Sequence, residues 1–275
     1  MNYQLFAADM DGTVLTSEKV ISPRTRKALH RALAEGYEVL FATGRSYSEV
    51  KPYLKDFPEM KYLLTVSGAS VVDLRAGKSI CRHPFSPGTV EKVLGALKNT
   101  DVMISHFVGE EVYLSSRFRG RFDDYGCGCY TKLGEECALW LPDASAFCLE
   151  HTEETYKLNA FFRYDEDFER ATELLKDFDV TLARALKNNY EISPKGVSKA
   201  TGLTALCDYI GLPIAQAIAI GDEGNDVEML RAAGLGVAMG NAIAEAKAVS
   251  SAVVADCDHD GVAEAIERWL GKEIV

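Results

Sequence analysis

Residues 6–13 read FAADMDGT, an apolar run that ends in two acidic residues and a glycine turn. The run Tyr3–Ala8 predicts a buried strand. On an extended chain the side chains at i and i+2 point the same way, so Asp9 and Asp11 share one side. At such a short distance, two carboxylates repel each other unless a cation or a shared proton reduces the repulsion. The stretch therefore indicates a metal site or an acid–base site at the end of a strand.

The sequence near both ends of the chain alternates between strand and helix patterns. Strands are predicted at residues 37–42, 62–66, 216–220, 235–238 and 252–254, and helices are predicted to stop at Gly36, Gly211 and Gly234. Ser22-Pro23 supplies a cap and a first-turn proline for the first helix. This alternation predicts the α/β class, with a Rossmann-like, mostly parallel sheet covered by helices.

The middle of the chain follows a different pattern. Helices are predicted at residues 88–98 and 167–178, and strands at 102–107, 112–115, 158–163 and 180–185. Strands joined by short turns and mixed with helices indicate a separate α+β domain inserted into the first one. We therefore expect one domain formed by residues 1–84 and 191–275, which we call the core, and an inserted α+β domain formed by residues 85–190, which we call the cap.

Composition limits the classes of partner. The chain has 275 residues, 47% of them hydrophobic, and a net charge of −11. A phosphate backbone requires basic patches, so we expect no nucleic-acid partner. No apolar run reaches the length of a membrane span and no secretory signal is visible, so we expect no membrane partner. Seven scattered cysteines are typical of reduced thiols, which favours a cytoplasmic location. The oligomeric state is not predictable from the sequence.

Three unusual segments follow predicted strands of the core. These segments are Asp9–Thr13, Thr43–Arg45 and Gly221–Asp226. In an open parallel sheet, ligands bind beyond the carboxyl ends of the strands, so residues that are distant in sequence should converge there.

Four carboxylates would gather at this edge of the sheet, from Asp9, Asp11, Asp222 and Asp226. They are hard oxygen ligands without a histidine among them, a set that selects Mg²⁺ over zinc or copper. Mg²⁺ commonly takes one or two carboxylates together with phosphate oxygens, which suits a phosphate substrate.

The same residues predict a phosphoryl-transfer site. A carboxylate beside Mg²⁺ and a phosphoryl group can act as a nucleophile, and a second carboxylate can act as general acid and base, roles that suit the pair Asp9 and Asp11. Thr43 offers a hydroxyl and Gly44 a backbone N–H to phosphate oxygens. A lysine is expected to balance the remaining charge, and Lys195 and Lys199 are both candidates.

Taken together, these segments resemble the haloacid dehalogenase superfamily, in the Cof-type phosphatase branch that carries a large inserted cap. The similarity lies in segments that span most of the core: Asp9–Leu15, Ala42–Arg45, Gly196–Lys199, Gly221–Asp226, Ala238–Ala242 and Asp260–Val262. One departure is Ser67-Gly68-Ala69, where the branch usually has Asn-Gly-Ala, and another is Ala200, where glycine is common.

The resemblance implies a role for each matching residue. Asp9 would be the nucleophile and a Mg²⁺ ligand, and Asp11 the general acid and base, with its backbone carbonyl on the metal. Asp222 would be the third metal ligand, and Asp226 would support the metal from outside its ligand shell. The resemblance prefers Lys199 to Lys195 and assigns phosphate binding to four residues: Thr43, Gly44, Lys199 and Asn225.

We therefore expect a Mg²⁺-dependent phosphatase that acts on small phosphorylated metabolites, sugar phosphates by family analogy, through a phospho-aspartate. Two alternatives remain open, a phosphomutase on the same core and a non-enzymatic module that senses phosphate and Mg²⁺. Substrate selectivity is expected from the cap, where several arginines are candidates without a basis for choosing among them: Arg117, Arg119, Arg121, Arg163 and Arg184.

Overall fold

The computed structural model describes residues 3–184 and 186–270. Contacts divide the chain into two compact units. The first unit consists of Met1–Gly44, Tyr53–Cys81 and Ser198–Val275, and the second of Arg45–Pro52 and Arg82–Val197. The limits expected from the sequence for the core and the cap remain predictions. The functions assigned to these two domains also remain predictions.

The elements follow each other along the chain in a regular order. The strands are β1 (Leu5–Ala8), β2 (Glu38–Phe41), β3 (Tyr62–Thr65), β4 (Ser70–Asp73), β5 (Lys78–Arg82), β6 (Val102–Val108), β7 (Glu111–Ser115), β8 (Leu139–Leu141), β9 (Thr155–Phe162), β10 (Val180–Ala183), β11 (Asn189–Pro194), β12 (Ala217–Gly221), β13 (Leu235–Ala238) and β14 (Ala252–Val253). The helices are α1 (Pro23–Ala34), α2 (Tyr47–Leu54), α3 (Thr89–Leu97), α4 (Thr131–Cys137), α5 (Ala144–Glu150), α6 (Asp165–Leu175), α7 (Lys199–Ile210), α8 (Val227–Ala232), α9 (Ala244–Val249) and α10 (Gly261–Trp269).

The first unit is built on a parallel sheet. Its described strands pair in the order β14-β13-β12-β1-β2. An isolated parallel bridge between Ala42 and Leu64 continues the pairing from the end of β2 to β3, which in turn pairs antiparallel with β4. Helices alternate with these strands along the chain, so the predicted α/β class is confirmed.

Local sequence explains where two of the core helices begin. The Ser22 side chain accepts a hydrogen bond from the Thr25 N–H at the start of α1, where Pro23 occupies the first turn. Ser198 caps α7 in the same way, by accepting from the Thr201 N–H, while the Thr201 hydroxyl accepts from the Ser198 N–H. Helix α7 ends at Gly211, whose positive φ of 69° suits glycine. The capping of α7 places Lys199 in its first turn.

The second unit is built on a mostly antiparallel sheet. Its described strands pair in the order β10-β11-β9-β6-β7-β8, and every pair is antiparallel except β7 with β8. One face is apolar and packs against α3, α5 and α6, with Val93, Leu97, Ile104, Cys148, Leu158, Leu175 and Ile192 among the buried residues. This mixture of helices with an antiparallel sheet is the α+β pattern expected for the middle of the chain.

The opposite face of this sheet carries two kinds of side chain. An apolar part, formed by Met103, Leu114 and Phe161, packs against residues of the segment between β7 and α4, namely Phe118, Phe122, Tyr125 and Cys127. A polar part consists of buried Ser105, Lys157, Asn159, Asn189, Glu191 and Ser193. We call this second group the polar face of the sheet. Because side chains alternate along a strand, these residues lie opposite the apolar residues of the same strands.

Several elements of the second unit were not predicted. These are α4, α5, β8 and β11. The two helices have seven residues each and β8 has three, lengths at which hydrophobic periodicity gives little signal. In β11 polar residues alternate with apolar ones, a pattern that favours a half-buried strand and was therefore an available signal. The predicted strand 180–185 is observed as β10, and Ala185 lies outside the described residues.

Within residues 3–184 and 186–270, no helix combines the length and the apolar character needed to cross a bilayer.

Candidate active site

Asp9 and Asp222 follow neighbouring strands at the centre of the parallel sheet. Strands β1 and β12 pair with Ala8 opposite Ile220, and the Asp9 N–H donates to the Ile220 carbonyl at 3.0 Å. From β1 the chain crosses to β2 on the opposite side of β1 from β12, so the strand order reverses at this point. Such a reversal opens a crevice beyond the carboxyl ends of the strands, where ligands bind in sheets of this type.

Lys199 lies between two carboxylates in this crevice. Its Nζ is 2.5 Å from Asp9 Oδ1 and 2.6 Å from Asp226 Oδ1, and its side chain is fully buried. Burial alone would lower the pKa of Lys199, but the charges of Asp226 and Asp9 outweigh it and raise that pKa. The ammonium group therefore stays charged and neutralises part of the acidic cluster.

A turn after β3 sets the position of α7. Gly68 has a φ of 96°, and a Cβ atom there would overlap the carbonyl oxygen of Ser198. Gly202 packs against the same turn, because a Cβ at Gly202 would meet Gly68 at 3.0 Å. The preceding residue, Ser67, has a φ of 55°, and its N–H donates to the Thr43 carbonyl at 3.0 Å. Close approach of this turn thus holds the helix start that carries Lys199.

Asp226 has both carboxylate oxygens occupied by protein donors. Its Oδ1 accepts from Lys199, and its Oδ2 accepts from the N–H groups of Asp222 at 3.0 Å and Glu223 at 3.1 Å. The side chain is fully buried. This arrangement fixes the loop after β12 and leaves Asp226 better suited to orient its neighbours than to bind a metal directly.

Asp222 is held from two sides. Its Oδ1 accepts from the Thr13 hydroxyl at 3.0 Å, and its Oδ2 accepts from Asn241 Nδ2 at 3.0 Å. Gly12 is pressed against the same carboxylate, since a Cβ on this residue, whose φ is 78°, would overlap it. Each carboxylate oxygen accepts one hydrogen bond and keeps a lone pair that could bind a cation.

The acidic cluster carries more negative charge than Lys199 neutralises. Ligand atoms of Asp9, Asp222 and Asp226 all lie within 4.8 Å of one another. Burial raises the pKa of Asp9 well above its ordinary value, against the opposing effect of Lys199. Burial, followed by the charge of Asp226, raises the pKa of Asp222 to about 7. Both shifts indicate that the carboxylates need a further positive charge to stay ionised together.

The donor set fits a hard divalent cation. The group consists of carboxylate oxygens, with excess negative charge and without nitrogen or sulfur ligands among these residues. Asp9 and Asp222 would hold such an ion through their carboxylates, and the resemblance adds the backbone carbonyl of Asp11. The structure thus brings Asp9, Asp222 and Asp226 together, whereas Asp11, the fourth carboxylate expected at this edge, is outside the group.

Asp11 stands apart from the three clustered carboxylates. Its Oδ1 accepts from Lys19 Nζ at 2.8 Å, and the two side chains are 30% and 40% exposed. An exposed ion pair of this kind contributes little, about 0–1 kcal/mol, so Lys19 does not lock the carboxylate in place. The role of Asp11 as general acid and base stays a prediction.

The predicted phosphate-binding residues lie at the same edge of the sheet. Thr43 is buried beyond β2, where its N–H donates to the Leu64 carbonyl at 2.9 Å and the preceding Ala42 N–H donates to Ala8 at 2.8 Å. Gly44 follows Thr43, and Asn225 is half-buried in the 3-10 turn Gly224–Asp226. Their roles in binding phosphate stay a prediction.

Sequence reasoning missed three residues that contact the acidic groups. Thr13 and Asn241 bind Asp222, and Lys19 binds Asp11. Thr13 and Asn241 belong to segments that carried the family resemblance, so adjacency to a motif was an available signal. Lys19 has a φ of 61° in a loop without a hydrophobic pattern, and the sequence offered no signal for it.

In the second unit, the polar face contains a buried ion pair. Lys157 Nζ lies 3.6 Å from Glu191 Oε1, with the two side chains 2% and 9% exposed. The same Nζ lies 4.3 Å from the centroid of the Phe107 ring, and Asn189 Nδ2 donates to Asn159 Oδ1. Burying charges is unfavourable unless they are paired, so this group is an unusual feature for a sheet surface.

The arginines considered from the sequence find partners within the second unit. The contacts are Arg119 with Glu135 at 3.1 Å, Arg121 with Asp124 at 2.9 Å, Arg163 with Asp101 at 3.6 Å, Arg184 with the Lys187 carbonyl, and Arg117 with the ring of Phe118 at 4.6 Å. Lys157 and Glu191 were not among the sequence candidates, although both are buried in this sheet.

A match to the family described as haloacid dehalogenase-like hydrolase covers residues 6–266. The chain therefore belongs to the haloacid dehalogenase-like hydrolases, in the Cof-type branch, and the resemblance seen in the motifs is confirmed. It is 30% identical over 280 residues to HMP-PP phosphatase of Serratia proteamaculans, with 98% of this chain and 96% of the relative covered.

Two further comparisons agree. The chain is 30% identical over 284 residues to 5-amino-6-(5-phospho-D-ribitylamino)uracil phosphatase YwtE of Bacillus subtilis, covering 96% of this chain and 97% of the relative. A solved haloacid dehalogenase-like hydrolase from B. subtilis superposes with a TM-score of 0.84 at 26% identity, covering 96% of this chain and 99% of that one. Because the family is one of hydrolases and these curated relatives are phosphatases, the protein is an enzyme of the phosphatase class.

Proposed function

We propose that this enzyme is a Mg²⁺-dependent phosphatase that hydrolyses small phosphorylated metabolites through a phospho-aspartate on Asp9. The observation that carries the proposal is the cluster of Asp9, Asp222 and Asp226 around Lys199, at the point where the strand order reverses. When bound, Mg²⁺ supplies positive charge that offsets the phosphate oxygens and the carboxylates. The protein supplies the nucleophile, the proton donor and the positioning groups.

In the first half of the reaction, an Asp9 carboxylate oxygen attacks phosphorus and the bond from phosphorus to the ester oxygen breaks. Asp11 gives its proton to that leaving oxygen. The Asp11 side chain is 30% exposed, so a bound ligand can reach its carboxylate. Lys199, Thr43, Gly44 and Asn225 would bind the phosphate oxygens, so that positioning and charge provide most of the rate enhancement.

In the second half, Asp11 takes a proton from water as the water oxygen attacks phosphorus. The bond between phosphorus and the Asp9 oxygen breaks, and free phosphate leaves. Asp11 thus donates a proton in the first half and accepts one in the second, while Asp9 is first the nucleophile and then the leaving group. One acid–base residue therefore serves both formation and hydrolysis of the intermediate.

We further propose that the second unit acts as the cap that selects the substrate. The polar face presents buried hydrogen-bonding and charged groups, chiefly Lys157, Asn159 and Glu191, that suit a hydroxyl-rich organic group. One relative is named for a phosphorylated ribitylamino compound, which agrees with a sugar or polyol phosphate. Seven cysteines scattered through a long chain are typical of reduced thiols, which supports a cytoplasmic location.

The test is a panel of phosphorylated metabolites, incubated with the enzyme in Mg²⁺ and in EDTA. We expect Mg²⁺-dependent release of free phosphate, and mass spectrometry after acid quenching should find phosphate on the peptide that contains Asp9. An isomerised phosphate ester in place of free phosphate would identify a phosphomutase. No turnover across the panel would favour the sensing module.

A further inference from the structure

Asn241 connects two segments of the candidate metal site. Its Nδ2 donates to the Gly12 carbonyl at 2.9 Å and to Asp222 Oδ2 at 3.0 Å. Its Oδ1 accepts from the Cys257 N–H at 3.1 Å. All four residues belong to the first unit. One side chain thus ties the loop after β1 to the loop after β12 and anchors both to the 3-10 turn Cys257–His259.

The chemistry of this junction requires a carboxamide. Two partners, the Gly12 carbonyl and the Asp222 carboxylate, are acceptors and need donors from residue 241. The third partner, the Cys257 N–H, needs an acceptor. A carboxamide supplies two N–H donors and one oxygen acceptor in one plane. A carboxylate could not donate to Gly12 or Asp222, and a shorter hydroxyl has a single donor. The identity of the residue therefore follows from its three partners.

The contacts of Asn241 complete the fixation of Asp222. Thr13 occupies Oδ1 and Asn241 occupies Oδ2, so the plane of the carboxylate is set from both edges. The bond to Gly12 holds the residue directly after Asp11, whose carbonyl the resemblance assigns to the metal. Hydrogen bonds that orient ligands in this way typically change metal affinity by about 10–100-fold.

The position of Asn241 argues against a mainly structural role. The residue is exposed, so its replacement creates no cavity and leaves no buried apolar surface unpacked. Surface substitutions of this kind usually change the free energy of unfolding by less than about 0.5 kcal/mol, although lost hydrogen bonds add to this. Its contacts nevertheless converge on a buried acidic group of the site.

We infer that Asn241 is a positioning residue that sets the affinity of the site for Mg²⁺ by fixing Asp222 and the Gly12 peptide. The inference rests on the proposed function, because it concerns the metal of that site. Asn241 does not touch the reacting atoms, so its removal should weaken Mg²⁺ binding and leave turnover at saturating Mg²⁺ close to that of the parent.

The test compares Asn241→Ala with a control residue from α9 that binds the same loop. Lys247 Nζ donates to the Gly240 carbonyl at 2.7 Å, so Lys247→Met removes a tether of the neighbouring residue without contacting the acidic cluster. Mg²⁺ binding to each full-length protein is measured by calorimetric titration, and the melting temperature is measured in EDTA and at increasing Mg²⁺. We expect a dissociation constant raised by about 10-fold or more in Asn241→Ala alone.

The possible outcomes separate this inference from the proposed function. If the parent binds Mg²⁺ and Asn241→Ala binds it equally well, the inference is overturned and the proposed function stands. If the parent binds no Mg²⁺, both are overturned. A large drop in the melting temperature of Asn241→Ala in EDTA, absent from Lys247→Met, would show that the tether mainly stabilises the fold and would also overturn the positioning role.

Discussion

Lys199 Nζ lies 2.5 Å from Asp9 Oδ1, although 190 positions separate the two residues in the sequence. The contact joins the end of the first strand to the first turn of α7, and both side chains are buried. A buried lysine is stable there because two carboxylates compensate for its lost hydration. The pair therefore couples the stability of the core to the charge balance of the active site.

Replacing Lys199 by methionine should destabilise the protein strongly. The change leaves Asp9 and Asp226 buried without their cation, and breaking a buried pair in this way costs about 3–5 kcal/mol. Lys195→Met is the matched control, because Lys195 is 66% exposed and 3.7 Å from Asp179, and it should change stability by less than about 0.5 kcal/mol. Denaturant unfolding in EDTA measures both. Equal effects of the two substitutions would contradict the buried network.

Asp9→Asn should abolish turnover while the fold is retained. The amide cannot act as the nucleophile, so we expect the turnover number to fall by about 10³-fold or more. Its oxygen can still accept from Lys199, and one of the mutually repelling carboxylates is removed, so the melting temperature should not fall. Phosphate release and thermal unfolding are measured on the same preparation. Substantial turnover in this variant would rule out Asp9 as the nucleophile.

Gly12→Ala should lower the activity far more than Gly36→Ala, although the two substitutions cause similar backbone strain. Gly12 and Gly36 both have positive φ, 78° and 92°, but a Cβ at Gly12 overlaps the Asp222 carboxylate whereas a Cβ at Gly36 meets nothing within 4 Å. Each substitution costs about 1–2 kcal/mol in backbone strain. Displacing Asp222 should additionally lower activity by about 10²-fold.

Steady-state assays at several Mg²⁺ concentrations distinguish these two glycine variants. Gly36→Ala should keep the parent's activity despite its lower stability. If Gly12→Ala also keeps that activity, then the close approach of Gly12 to Asp222 has no functional importance.

His106 should make the second unit less stable as the pH falls. Burial is the main cause that lowers the pKa of this residue to about 4, from an ordinary value of 6.5. Its Nδ1 lies 3.3 Å from the Tyr113 carbonyl and its Nε2 lies 3.1 Å from the Ser145 hydroxyl. Because the unfolded chain takes up a proton at higher pH than the folded chain does, unfolding binds protons between pH 6.5 and about 4.

Stability contributed by His106 is thus fully present above pH 6.5 and declines towards pH 4, by an amount on the order of 3 kcal/mol. Denaturant unfolding of the parent and His106→Gln at pH 7.5 and pH 5 measures the effect, with the exposed His83→Gln as control. The parent and His83→Gln should lose stability between the two pH values, and His106→Gln should lose less. A pH dependence unaffected by His106→Gln would contradict the assignment.

Much of the core could be predicted because its signals are local. The run before Asp9, the cap at Ser22 and the glycine after α7 each act within a few residues, and the structure contains the corresponding strand and helices. The rule that parallel strands place ligands beyond their carboxyl ends then predicted that Asp9 and Asp222 would meet. The short elements of the second unit could not be predicted, since α4 and α5 have seven residues each and β8 has three, lengths at which hydrophobic periodicity gives little signal.

The sequence by itself determined which chemical groups are present and the order along the chain of the strands that carry them. Hydrophobic periodicity and turn residues are properties of short segments, so they can be recognised without the fold. Only the tertiary structure decided which groups touch: that Lys199 lies between Asp9 and Asp226, that Asp11 pairs with Lys19, and that Asn241 reaches Asp222. The physical reason is that these contacts depend on the positions of entire strands and loops, which no local pattern of residues encodes.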